Sequence, residues 1–135
     1  MIILDSSFIV AYYNTADNNH NKAIGIMKAL ETGEYGDVLV TDYVFDETVT
    51  VAFVRLKSLG KTVKIGDDIS RFAKMVYMEK NAFEDAWELF KNQSDTKFSF
   101  TDCSILSIMK RAGINKIATF DGDFKKIRDI EVVAG

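Results

Sequence analysis

Short apolar runs recur along this 135-residue chain and predict five strands. A strand that is buried on both faces of a parallel sheet needs no alternation of polar and apolar residues, so a short continuous apolar run is its expected signature. The predicted strands are Met1–Leu4, Val38–Val40, Met75–Met78, Ile117–Phe120 and Val132–Val133.

The stretches between these runs carry apolar residues at helical spacing. In Asn19–Glu31, for example, Ala23, Ile26 and Leu30 fall on one face of a helix. Strands that alternate with helices predict an α/β fold, a three-layer α/β/α sandwich around a mostly parallel sheet. The predicted helices are Ser7–Tyr13, Asn19–Glu31, Asp42–Leu59, Gly66–Lys74, Asn81–Asn92 and a last helix that opens at Ser99 and ends at Gly113.

The longest predicted helix, Asp42–Leu59, has a signal at each end. Thr41 is expected to cap its start, and Gly60 is expected to end it in a left-handed conformation. Its segment Val49–Val54 is rich in β-branched residues and is typical of a strand when taken alone, but the uninterrupted length favours a helix.

Two later helices begin with the signature of a capping box, in which an N-cap side chain and an acid three residues later bond each other's backbone amides. Asn81 with Glu84 is the first pair, and Ser99 with Asp102 is the second. Both pairs predict where a helix starts.

Composition restricts the class of protein. We expect one compact domain over residues 1–135, because this length is typical of a single domain and 47% of the residues are hydrophobic. The apolar runs are far shorter than the roughly 20 residues that cross a bilayer, and the N-terminus has no basic n-region, so a cytoplasmic protein without a membrane span is expected. The net charge of −3 argues against a strongly basic nucleic-acid surface, and no RNA-binding residue is assigned.

Four acidic residues lie beside apolar segments in different parts of the chain. Asp5 and Asp121 directly follow predicted strands, and the carboxyl ends of parallel strands meet at one edge of a sheet, where ligands bind. Glu47 shares a helical stripe with Val44, Val51 and Val54, and Asp102 heads the stripe that continues with Ile105, Leu106 and Met109. We therefore expect all four carboxylates to converge in one cleft.

Ionised carboxylates at the edge of a core need a positive charge to compensate them. Oxygen ligands without a histidine or cysteine cluster favour a hard ion, Mg²⁺ or Mn²⁺, over zinc. The chemistry indicated is metal-assisted attack on a phosphate, which makes the chain a candidate nuclease.

Each acid also has a purely structural interpretation, and the sequence leaves it open. Asp5 suits a helix cap, Asp102 suits the acidic position of a capping box, and Asp121 suits a turn followed by Gly122. Glu47 fits such an interpretation least, because an acid in the middle of a helix normally faces solvent.

The order and surroundings of the four acids resemble the PIN domain family, and within it the VapC-type toxin ribonucleases of type II toxin–antitoxin systems. The resemblance covers nearly the whole chain. The segments that carry it are Ile3–Ser7, Asp46–Glu47, Phe100–Asp102 and Ala118–Phe124.

That resemblance implies cleavage of RNA with Mg²⁺ or Mn²⁺ held by the four carboxylates, with Asp123 as a further ligand or a replacement for Asp121. It also implies a homodimer and a small antitoxin protein as a partner. The residues that the resemblance makes both catalytic and metal-binding are Asp5, Glu47, Asp102 and Asp121.

Two hydroxyl residues lie close to these acids in the sequence. Ser7 and Thr101 can hydrogen-bond a ligand carboxylate or a phosphate, or cap a helix.

Two other functions also stay open at this point. An aspartyl-phosphate phosphotransferase would use an Asp after the first strand, although Ser7 occupies the position where the haloacid-dehalogenase type has a second Asp. A non-catalytic interaction module would use none of the acids.

Overall fold

A sheet of five parallel strands forms the centre of the fold, in the order β3-β2-β1-β4-β5. The computed structural model describes residues 1–134 of the chain. The α/β architecture with a parallel central sheet confirms the fold class that the sequence predicts. The strands are β1 (Ile2–Leu4), β2 (Val38–Thr41), β3 (Lys74–Val76), β4 (Lys116–Ala118) and β5 (Glu131–Val133).

Six α-helices and one 3₁₀ helix connect the strands. Crossovers between parallel strands are right-handed as a rule, and the chain moves outward through β2 to β3 before it returns past β1. The rule therefore assigns the helices between β1 and β3 to one face of the sheet and the pair before β4 to the other. The helices are α1 (Ser6–Tyr13), α2 (His20–Glu31), α3 (Asp42–Leu56), α4 (Leu59–Phe72), α5 (Lys80–Lys91), α6 (Phe100–Ala112) and the 3₁₀ helix Gly122–Lys126.

Strand β1 lies at the middle of the sheet and of the core. Its residues Ile2, Ile3 and Leu4 are fully buried, and it pairs with β2 on one side and β4 on the other. The strand order reverses at β1, and in open parallel sheets the crevice at such a point is where ligands bind. Asp5 directly follows β1, so the topology places this residue at that crevice.

The helix predicted over Asp42–Leu59 is confirmed from its Thr41 cap to Leu56, but its predicted end is wrong, because a second helix begins at Leu59. Lys57 has a φ of 53° and ends α3 in the left-handed conformation that the sequence assigned to Gly60. The Ser58 hydroxyl then accepts a hydrogen bond from the Lys61 amide at 3.2 Å and caps α4, which contains Gly60. A serine cap outweighs a glycine stop here, and the helix predicted at Gly66–Lys74 begins earlier.

The two predicted capping boxes have different outcomes. At α6 both bonds form, from the Asp102 amide to Ser99 Oγ at 3.1 Å and from the Ser99 amide to Asp102 Oδ2 at 3.0 Å. At α5 the box is wrong: the N-cap is Glu79, which makes no side-chain cap bond, and Asn81 lies inside the helix. The α6 box is held by a buried acid, whereas the α5 start is exposed to water.

Within residues 1–134, no helix combines the length and the apolar character needed to cross a membrane.

Candidate active site

Asp5 is a buried carboxylate at the end of the central strand, and only 2% of its surface is exposed. Its Oδ1 accepts a hydrogen bond from the Ser6 amide at 2.8 Å. Its Oδ2 accepts one from Ser7 Oγ at 2.8 Å and one from Thr119 Oγ1 at 2.7 Å. Burial raises the pKa of Asp5, the hydroxyl donors oppose that rise, and the negative charge of Glu47 adds to it.

Glu47 projects from the second turn of α3 toward the start of α1. The Ser6 hydroxyl donates a hydrogen bond to Glu47 Oε2 at 2.6 Å, while the Ser6 amide binds Asp5. One serine therefore holds two carboxylates side by side. Glu47 is half-buried, as its place on a partly apolar stripe predicts, and Val44 on that stripe is fully buried. The prediction for Val54 is wrong, since 69% of this side chain is exposed.

Asp102 is buried in the first turn of α6, where its capping role and its charge conflict. The pKa of Asp102 is raised to about 7, mainly by burial and also by the charges of Asp5 and Asp121, while the two hydrogen bonds with Ser99 lower it. The charges of Asp5 and Asp121 therefore act on Asp102 at the start of α6. The structural interpretation of Asp102 as a capping acid is confirmed, and capping occupies one carboxylate oxygen and leaves the other without this bond.

Asp121 lies three residues after β4 and begins the 3₁₀ helix. Its Oδ1 accepts a hydrogen bond from the Asp123 amide at 2.9 Å, and its own amide donates to Thr119 Oγ1 at 3.0 Å. Because the Thr119 hydroxyl also donates to Asp5, this threonine links the ends of β1 and β4. Asp121 therefore has both a turn-forming role and a place beside the other carboxylates.

Asp123 belongs to a different set of contacts. Its carboxylate accepts a hydrogen bond from the Lys97 amide at 2.8 Å and forms an ion pair with Lys126 at 3.0 Å. These two contacts hold the pKa of Asp123 below its usual range, the Lys97 bond having the larger effect. Its charge is thus compensated by the chain itself.

A cleft of about 370 Å³ opens beside the carboxylates. Glu47 and Asp121 face it from α3 and from the segment after β4, with the hydroxyls of Ser6 and Ser7 between them. The remaining lining residues come from α1, the loop before α2, the rest of α3 and the segment after β4. They are Val10, Asp17, Asn19, Val51, Arg55 and Phe120.

Comparison with known families gives this site a context. The PIN domain family profile matches residues 2–130, which is almost the whole chain. The chain belongs to the PIN domain family. The resemblance seen in the sequence is therefore confirmed.

Relatives of this PIN domain extend over its full length. The "23S rRNA-specific endonuclease VapC20" of Mycobacterium tuberculosis is 27% identical over 132 residues, covering 98% of both chains. The "VapC ribonuclease" of Archaeoglobus fulgidus is 24% identical over 123 residues, covering 90% of this chain and 78% of its own.

Solved structures have the same fold. The crystal structure of Mycobacterium tuberculosis VapC20, described as a "Sarcin-Ricin loop cleaving toxin", has a TM-score of 0.82 at 26% identity and covers 93% of this chain and 94% of its own. The "FitAcB" structure from Neisseria gonorrhoeae has a TM-score of 0.67 at 15% identity, covering 98% of this chain and 96% of its own, and shows the fold alone.

The donor set of this PIN domain suits a hard divalent cation, because every group that faces the cleft with a negative charge is a carboxylate. Among the described residues, none of Asp5, Glu47, Asp102 and Asp121 forms an ion pair with a lysine, arginine or histidine. No three acidic, histidine or cysteine side chains in residues 1–134 are close enough together to hold an ion as they stand. The carboxylates are neighbours that repel one another, without meeting at a common point.

Two hydroxyl residues of the site have no obvious signal in the sequence. Ser6 and Thr119 each bridge an acid to a second element, yet a serine at a helix start and a threonine at a strand end are common for structural reasons alone. Ser7 was expected near a carboxylate and donates to Asp5. Thr101 was expected there too, but no hydrogen bond within the described chain joins its side chain to an acid.

Proposed function

We propose that this PIN domain is an endoribonuclease that depends on Mg²⁺ or Mn²⁺ and is the toxin of a toxin–antitoxin pair. The observation that carries the proposal is the buried Asp5, which has three neutral donors and acidic neighbours but no cation of the chain beside it. A full-length similarity to VapC20 and to a VapC ribonuclease supports RNA as the substrate.

The ligands of the metal would be the four acids at the crevice beside β1. Asp5 and Glu47 would bind from the α1 side, and Asp102 and Asp121 from the α6 side. Asp121 is preferred over Asp123, whose charge is already compensated by Lys126. When bound, the cation supplies a water that is nucleophilic at neutral pH and a Lewis acid at the phosphate oxygens.

The chain's own hydroxyls orient these ligands. Ser6 fixes the distance between Asp5 and Glu47, because its amide and its hydroxyl each bind one of them. Ser7 and Thr119 share Asp5 Oδ2, and Ser7 Oγ also accepts the Phe120 amide at 3.0 Å. This network ties the end of β1 to the segment after β4, so the carboxylates on both sides keep their relative positions.

The decisive experiment measures RNA cleavage by Asp5→Asn and Glu47→Gln. Both variants keep the size and most of the hydrogen bonding of the side chain, and both are expected to lose cleavage while circular dichroism and the melting temperature show a folded protein. The wild-type protein should cleave at least one RNA of a panel that includes a sarcin–ricin loop, and a chelator should abolish this cleavage. Full activity in both variants would exclude this site.

The same experiment separates the other two functions. A phosphotransferase would form a base-labile phosphate on Asp5 and would leave the RNA intact. An interaction module would form no phosphate adduct and would leave the RNA panel intact with any metal.

A homodimer, a small antitoxin partner, a cytoplasmic location and a single nuclease domain over residues 1–135 complete the proposal. The FitAcB and VapC20 similarities support the fold that such proteins share, and light scattering would test the dimer. Co-expression with the protein encoded beside this chain's gene would test the partner, since a true antitoxin should suppress RNA cleavage.

A further inference from the structure

The cleft that Glu47 and Asp121 face is also lined by a third acid, Asp17, and by one basic residue. Arg55 is the only lysine or arginine that lines it within the described chain. It lies on α3 two turns beyond Glu47, with Val51 between them, and a rise of about 1.5 Å per residue separates the two Cα atoms by roughly 12 Å along the helix. A single helix therefore presents a carboxylate and a guanidinium to the same space.

The Arg55 guanidinium is not committed to another part of the chain. Arg71 pairs with Asp68 and Arg111 pairs with Asp85, whereas Arg55 forms no ion pair in residues 1–134. Residue Arg55 also lines a small hollow beside Tyr13, although the residue as a whole is exposed. The described chain therefore supplies no acidic partner for the guanidinium.

Asn19 adds a neutral donor to the cleft, from the loop before α2. Its backbone amide binds Asp17 Oδ1 at 2.8 Å, but its side chain makes no cap bond and has no hydrogen-bond partner in the described residues. An amide and a guanidinium that line one cleft without partners form a set of donors for an anion.

We propose that Arg55 and Asn19 form a subsite for a phosphate of the RNA backbone next to the one that is cleaved. This inference rests on the proposed nuclease function and names how the substrate is held. The guanidinium fork matches two phosphate oxygens, and the amide of Asn19 donates a further hydrogen bond. We assign Arg55 to a neighbouring phosphate because its Cα lies roughly 12 Å along α3 from that of Glu47.

The need for such a subsite follows from the charge of the protein. With a net charge of −3 and acids around the catalytic end, the cleft repels an RNA chain wherever no cation lies. A metal would neutralise the carboxylates at one end only. Arg55 supplies the attraction at the other end, so the RNA is held across the site rather than at one point.

The test compares Arg55→Gln with Arg111→Gln, which removes the same charge from the last turn of α6, away from the cleft. RNA affinity is measured in an Asp5→Asn background over a range of KCl concentrations, with an RNA that the wild type cleaves. Arg55→Gln is expected to weaken binding by about 10-fold or more and to reduce the slope of log K against log salt by about 0.7, as for one lost phosphate contact. Arg111→Gln should leave both quantities unchanged.

Two further variants separate charge from shape. Arg55→Lys should retain the salt slope and lose part of the affinity, because an ammonium keeps the charge but not the fork. Asn19→Ala should weaken binding a few-fold with no change in slope, since its amide is neutral. In the catalytically intact protein, Arg55→Gln should raise KM while kcat changes less than about threefold.

If Arg55→Gln in the Asp5→Asn background binds RNA with the same affinity and the same salt slope as Asp5→Asn alone, the subsite is overturned. The nuclease function would still stand if the wild-type protein cleaves RNA. An equal loss in Arg111→Gln would also overturn it, because the effect would then be one of overall charge. If the wild-type protein cleaves no RNA, the proposed function itself fails. Arg55→Lys serves as the folded comparison should Arg55→Gln lose its melting transition.

Discussion

The carboxylates of this PIN domain fall into two groups that the fold treats in opposite ways. On α4, Asp68 forms ion pairs with Lys64 at 2.8 Å and with Arg71 at 2.9 Å. These two cations hold the pKa of Asp68 below its usual value, and Lys64 has the larger effect. At the crevice, Asp5 receives only neutral donors, and burial raises its pKa. Asp68 lies at the surface, where water would screen its charge anyway, whereas Asp5 is buried.

The difference shows where the fold concentrates unfavourable charge. The chain has 17 lysines and arginines, so cations are available, yet within the described residues none of them forms an ion pair with Asp5, Glu47, Asp102 or Asp121. A cluster of like charges persists only when surrounding structure fixes it. Here β1, the start of α1 and the capped start of α6 do so, which is why we propose that a cation from solution stabilises the crevice.

The largest expected effect is a difference in RNA cleavage between variants of Asp121 and Asp123, which are two residues apart. Asp121→Asn should lower RNA cleavage by at least about 1000-fold, because a lost ligand weakens a metal that supplies several kcal/mol of transition-state stabilisation. Asp123→Asn should change cleavage only a few-fold, since Lys126 and the Lys97 amide already occupy its carboxylate. Cleavage rates at saturating Mg²⁺ test the pair. Comparable losses in both variants would place Asp123 in the site and remove the distinction between the two groups.

The next effect concerns stability in the absence of metal. The pKa of Asp102 is about 7 in the folded chain, against about 3.9 when unfolded, so the folded state holds an extra proton between these values. This favours the fold at low pH, and the contribution is lost as pH rises from about 4 to about 7. Asp102→Asn removes the ionisation and keeps an acceptor for the Ser99 amide.

Urea unfolding in chelator at pH 4 and pH 8 measures this effect. Relative to wild type, Asp102→Asn should gain about 2–4 kcal/mol in free energy of unfolding between the two pH values, most of it before pH 7. Parallel plots of unfolding free energy against pH for the two proteins would show that ionising Asp102 does not destabilise the fold. That result would contradict a pKa raised by burial and by the charges of Asp5 and Asp121.

The sequence predicted the sheet and the crevice because both depend on local signals. Apolar runs such as Ile2–Leu4 and Val38–Val40 are strands in the structure, and an acid placed directly after a strand reaches the edge of the sheet whatever the details of packing. The Ser99–Asp102 capping box was predicted correctly for the same reason, because its two residues are only three positions apart in the sequence.

The parts that could not be predicted depend on contacts between distant residues. The break between α3 and α4 depends on Lys57 adopting a positive φ, a conformation that favours glycine and was therefore predicted for Gly60. Ser6 and Thr119 join acids that are 41 and 114 residues away in the chain, and nothing in their immediate surroundings marks them. Tertiary geometry, rather than propensity, selects these residues.

Metal binding should have an effect of intermediate size on stability. Mg²⁺ or Mn²⁺ at about 100 times its dissociation constant adds roughly 2.7 kcal/mol to the free energy of unfolding. The gain should be larger at pH 8 than at pH 5, because burial and neighbouring charges favour the protonated forms of Asp5 and Asp102 at the lower pH. Melting curves with and without metal measure it, and Glu47→Gln is expected to abolish most of the gain. An equal gain in Glu47→Gln would place the ion elsewhere.

The smallest effect is expected from the other group of acids. Asp68→Asn removes two ion pairs whose basic partners are 72% and 73% exposed, and it keeps an acceptor for the Tyr13 hydroxyl. Surface pairs of this kind contribute little, so the free energy of unfolding should fall by less than about 1 kcal/mol, and by less still in high salt. Urea unfolding at two salt concentrations measures the change, while RNA cleavage should stay at the wild-type rate. A clear loss of cleavage in Asp68→Asn would mean that charge far from the crevice affects the reaction. The division of the carboxylates into a paired group on α4 and an unpaired group at the crevice would then fail.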